Sequence, residues 1–127
     1  AGPLHGSASL LQEIDAIHTL FVILAMQGTG EDARARRAYE AGISVVLPEH
    51  RPPFREVEQW PKALGDSLAR LTNLRPFAKK VLIEGLVHCI AHDQKLSVEE
   101  GELLRTVCAV LHCPLPPILA PQPAPGS

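Results

Sequence analysis

The 127 residues suit a single domain, and with 46% apolar residues the chain has enough hydrophobic matter for a core of its own. A formal charge of −2 and an isoelectric point near 6.3 give no reason to expect nucleic acid or an anionic membrane surface as a partner, since proteins that bind these present strongly basic faces. The longest apolar run, Leu20 to Met26, is seven residues, whereas a spanning helix needs about 20, so no direct membrane insertion is expected.

Residues 1–8 lack the basic-then-apolar order of a secretory signal and read as a linker or a remnant of cloning. Leu10, Ile14, Ile17, Phe21 and Leu24 then recur at helical spacing behind Ser9 and Gln12, a capping-box pair, which predicts a first helix over about residues 10–27. Gln27-Gly28-Thr29-Gly30 ends it, and a second helix opens at Thr29 or Gly30. Its small-residue stripe, Ala35, Ala38, Gly42 and Val45, permits close packing before Pro48 stops it. The β-branched run Ile43 to Leu47 continues that stripe without a turn signal and is read as helix end rather than strand. Residues 48–53 form an extended or turned joint, because three of the six are proline.

After the joint, Phe54, Val57 and Trp60 predict a short helix, and Leu64, Leu68 and Leu71 a longer one starting near Pro61. Pro76 suits the first turn of the next helix, whose broad stripe of Phe77, Val81, Leu82, Ile83, Leu86, Val87 and Ile90 places it at the centre of the core. A polar turn follows, and Ser97 with Glu100 makes an S-x-x-E capping box for a last helix over Val98 to His112, packed antiparallel to the Pro76 helix. The segments Leu24 to Leu47 and Ile90 to Leu111 share this helix, turn, helix order, which two ordinary hairpins explain without duplication. Residues 120–127 hold no large apolar side chain and are expected to be a disordered, proline-rich tail. The fold expected is all-α, a single-domain bundle of five to seven helices built from helical hairpins, over residues 9–119.

Chemistry is sparsely marked. The chain has no H-E-x-x-H, no G-x-S-x-G and no glycine-rich phosphate loop, so no catalytic residues are assigned. Cys89, Cys108 and Cys113 cannot all pair within one chain, and free thiols in a reducing compartment are the simpler reading. His88 with His92, and Cys108 with His112, have one-turn spacing for zinc, but in an antiparallel hairpin the two pairs fall about 16 Å apart. Helical burial of Cys108 would raise its thiol pKa and keep it from acting as a nucleophile with His112.

Asp93, Ser97, Glu99 and Glu100 offer oxygens for a divalent cation, yet the calcium-loop template fails. Counting from Asp93, it puts Val98 at the glycine position and Leu104 at the bidentate carboxylate position. The glutamates fit better as partners of the helix dipole. No cofactor is therefore expected, and a divalent metal is the alternative, with Asp93, Glu99, Glu100, His88 and His92 as its candidate ligands. Arg34, Arg36 and Arg37, interleaved with Glu31, Asp32 and Glu40, read as a solvated face. Trp60 reads as a core-edge anchor, or as part of an interaction surface with Val46, Leu47 and Phe54 if these are exposed.

Leu71 through Gly85, Ser97 through Arg105 and Cys113 through Leu119 resemble the C-terminal region of bacterial membrane-bound zinc metallopeptidases of the HtpX/CAAX type, a TerB-like (tellurite-resistance-protein-like) helical domain. The likeness covers roughly residues 68–119. It departs where the family has Ala-Asp-Gly and this chain has His92-Asp93-Gln94, and the peptidase's zinc-binding helix lies outside the chain's sequence. The resemblance implies a non-catalytic accessory domain, cytoplasmic and attached to an inner-membrane protein, that contacts the peptidase core, another protein or a second copy of itself. The alternative is a metal-responsive sensor built on the turn around Asp93.

Overall fold

The computed structural model describes residues 10, 12–28, 32–49, 52–55, 57–92, 97–114 and 116. These form five α-helices: α1 (Ile14–Gly28), α2 (Asp32–Val46), α3 (Trp60–Leu71), α4 (Pro76–Ala91) and α5 (Val98–Leu111). The chain is an all-α bundle, and no strand occurs among the described residues; Ile43 to Val46 complete α2. The predicted Ser9 cap, the Thr29–Gly30 start of α2, residues 1–8, most of the turn containing Asp93 and the tail over 120–127 lie outside the described residues.

Helix α1 is the hub, packing against each of the other four, and Leu20 through Ala25 are at most 1% exposed. A helix buried all round must sit inside, whatever its amphipathicity. This corrects the expectation that the Pro76 helix, α4, is central. The run too short for a bilayer is the middle of the core, and no described helix is long and apolar enough to cross a membrane.

The most extensive helix pair is α2 with α4. At their crossing, Gly42 and Gly85 face each other: a Cβ added to Gly42 would stand 2.7 Å from the Gly85 carbonyl oxygen and 2.7 Å from Cys89 Cβ. One added to Gly85 would stand 2.9 Å from the Gly42 carbonyl oxygen and would collide with Val46 Cγ2. Phe21 of α1 reaches into the same crossing, 2.9 Å from either added carbon. Of the small-residue stripe of α2, Gly42 permits this approach and Ala35 is buried, whereas Ala38 and Val45 are half-buried and Tyr39 and Ile43 share the buried face.

The predicted helix over Phe54 to Trp60 is absent: residues 52–55 are irregular and Glu58-Gln59 is a bend. Gln59 is left-handed (φ 50°, ψ 51°), which breaks any helix running into Trp60, and Pro61 occupies the first turn of α3. Phe54 is instead a plug. Its ring meets Tyr39 edge-on at 5.6 Å, His18 also meets Tyr39 edge-on at 5.7 Å, and the Arg36 guanidinium lies 5.1 Å above the Phe54 ring. The Tyr39 hydroxyl donates to the Pro52 carbonyl and His18 Nε2–H to the Pro53 carbonyl at 3.0 Å, so the joint is fastened onto α1 and α2.

Candidate functional site

Pro76 is the first residue of α4, preceded by Arg75 in an extended conformation (φ −70°, ψ 157°), as the ring's fixed φ and missing N–H favour. From there α4 turns Ala78, Leu82, Gly85, Leu86, Cys89 and Ile90 inward. The opposite stripe, Phe77, Lys80, Glu84 and His88, is exposed, and Phe77 is 66% exposed. Phe77 follows the spacing of the charged residues rather than that of Leu82 and Leu86, a signal present in the sequence but masked there by the breadth of the apolar pattern.

Helix α5 begins with both halves of the capping box: the Glu100 amide donates to Ser97 Oγ and the Ser97 amide to Glu100 Oε1, each at 3.0 Å. It ends in a Schellman turn. His112 is left-handed (φ 58°, ψ 42°), the Cys113 amide donates to the Cys108 carbonyl at 2.9 Å and the His112 amide to the Ala109 carbonyl at 3.2 Å. Pro114 prevents the helix from resuming. The turn swings Cys113, Pro114 and Pro116 alongside the first turns of α4, so the start of α4 and the end of α5 lie at the same end of the bundle. That is the relation expected of antiparallel neighbours.

Contact between α4 and α5 is nevertheless slight, and a groove of about 640 Å³ opens between them. Ile83, Val87 and Leu111 form its apolar floor, Pro76, Pro114 and Pro116 close one end, and Lys79, Lys80, Glu84, His88 and His112 stand at its edge. The volume falls within the range of small-molecule and peptide sites, about 300–1,000 Å³, and so does the mixture of apolar walls with a few polar groups.

The structure corrects the predicted interaction surface. Val46, Leu47 and Phe54 are buried at 5%, 2% and 7% exposure, and of the four residues only Trp60, at 38%, reaches solvent. Val46 packs over Gly85, and Phe54 is held by Tyr39, so the apolar character of that region serves the core. Among the described residues, the exposed large apolar side chains are Phe77, Val98 and Trp60.

The metal candidates are described only in part. Asp93 lies outside the described residues, Glu99 and His92 are exposed, and the buried Glu100 carboxylate accepts from the Ser97 amide. No group of three or more His, Cys, Asp or Glu side chains suited to a metal occurs among the described residues. His88 and His112 line the same groove, but Cys113 lies beside Lys79, nine residues before His88 and about 14 Å from it along α4.

Burial pushes the Cys108 thiol up to about 11, with the neighbouring Cys113 adding to the effect. Burial also raises Cys113, partly countered by Lys79. Both are protonated at neutral pH, which disfavours thiolate chemistry at this end of α5. Arg36, Arg37, Glu40 and His92 border a second, shallower depression, and the three arginines of α2 are exposed, as a solvated face requires. The chain matches no protein-family model, no curated protein and no solved structure.

Proposed function

We propose that this chain is a non-catalytic interaction domain that receives a protein partner along α4, in the groove closed by the end of α5. The observation that carries this reading is the apolar groove itself: about 640 Å³ floored by Ile83, Val87 and Leu111, beside an exposed Phe77. Apolar surface left open in this way favours association, because covering it releases ordered water. The likeness of residues 68–119 to TerB-like domains supplies a setting, a cytoplasmic accessory domain of a bacterial inner-membrane metallopeptidase with the peptidase core among its partners.

Site-specific photocrosslinking in cells tests the reading. A photoreactive amino acid replaces Val87 in the groove or, as control, the exposed Asp66 on α3. A discrete protein adduct from position 87 and none from position 66 is expected. Equal labelling at both positions, or none at either, overturns the assignment of the groove as the binding surface.

A further inference from the structure

The exposed face of α4 has a charge order that is its own complement. Phe77, Lys80, Glu84, Val87 and Ala91 are spaced by three and four residues, the rhythm of a helix seam that meets another helix. Phe77, Lys80, Glu84 and Ala91 are exposed and Val87 is half-buried. When a second α4 runs in the opposite direction about a two-fold axis at the level of Leu82, Lys80 faces the partner's Glu84 and Glu84 faces the partner's Lys80. Phe77 then faces the partner's Val87, on the groove floor. Every contact occurs twice, as an isologous interface requires.

Lys80 and Glu84 are one turn apart on the same helix, yet neither forms an ion pair among the described residues. Lys80 and Glu84, side by side on a rim that also carries Lys79, do not both suit a single anionic or cationic ligand, since one of them would repel it. They match an antiparallel copy, in which each meets its opposite. From this charge complementarity and the adjoining apolar groove we infer that the occupant of the α4 face is a second copy of this chain, paired through antiparallel α4 helices. The inference rests on the reading of the groove as an interaction surface and names its partner.

Sedimentation equilibrium of the 127-residue chain, at concentrations up to about 1 mM, tests it with two charge reversals. Lys80→Glu and Glu84→Lys are on exposed positions, so unchanged helical circular dichroism is expected of both. The unsubstituted chain should dimerise, and each reversal alone should weaken dimerisation about tenfold or more, because it sets like charges against each other twice. An equimolar mixture of the two variants should restore a dimer, now heteromeric. In the mixed pair, both acidic side chains of the Lys80→Glu chain face lysines of the Glu84→Lys chain, whereas either variant paired with itself sets like charges together.

A monomer throughout the concentration range overturns the inference, and so does a dimer indifferent to both reversals or a mixture that fails to recover. If the chain stays monomeric while position 87 crosslinks to a different protein, self-pairing falls and the interaction-domain reading stands.

Discussion

On the side of α4 that meets α2, backbone approaches backbone at Gly42 and Gly85, and not even a methyl group could be added. On the side that meets the end of α5, about 640 Å³ stays open and Phe77 faces solvent. One helix therefore carries a closed interface and an open one. The closed face secures α4 against α2 and α1, so the interaction proposed for the open face would not have to supply those contacts. Close packing of this kind tolerates little change in volume, whereas an open apolar face invites a partner.

Six substitutions bear on that contrast. The largest effect is expected from Gly42→Ala or Gly85→Ala, each destabilising by about 3 kcal/mol in urea unfolding, because helix must move off helix or Phe21 must shift. Alanine ordinarily favours a helix over glycine by about 1 kcal/mol. Gly65→Ala on α3 supplies that control: nothing lies within 4 Å of the added carbon, and a gain of about that size is expected. If Gly42→Ala and Gly85→Ala are no more destabilising than Gly65→Ala, the close approach of α2 and α4 does not distinguish that face.

The open side depends on α5 starting in register. Ser97→Ala removes the acceptor for the Glu100 amide and should cost about 1 kcal/mol, read as a lower urea midpoint with an unchanged slope.

A pH effect belongs to the joint, where His18 bonds Pro53 beside Tyr39. Burial lowers the His18 pKa below its ordinary 6.5, against the raising effect of its bond to Pro53. Protonation therefore favours the unfolded chain, so the stability His18 supplies is complete above about pH 6.5 and declines as pH falls from there toward the lowered value. His18→Gln should flatten the fall in Tm between about pH 7.5 and about pH 5.5 relative to the unsubstituted protein; an identical slope would show that His18 does not report on the fastening of the joint. The smallest effect is expected on the open face, where Phe77→Ala should change monomer stability by no more than about 0.5 kcal/mol, measured at a dilution that suppresses association.

Legibility in the sequence followed the range of the interaction. The Ser97 and Glu100 cap was readable because its partners lie three residues apart, and Pro76 at the head of α4 because proline's own ring sets the conformation. The groove was not readable. Its lining comes from Ile83 and Val87 on one helix, Leu111 at the end of the next and Pro116 beyond it, and no local pattern joins them. The helix expected over 54–60 failed for a similar reason: Phe54 is fixed by Tyr39, fifteen residues earlier, and the backbone bends at Gln59 to allow it.

By itself the sequence determined that this chain is helical, where most of its helices begin and end, and that α2 could be closely approached, because period, caps and prolines act within a turn or two of the chain. Only the tertiary structure decided that α1 is the hub, that Gly85 is the counterpart of Gly42, that Val46, Leu47 and Phe54 are buried, and that Phe77 is exposed. Those outcomes turn on which of several apolar faces pack together, and the free energy that selects among them comes from contacts between residues far apart in the chain.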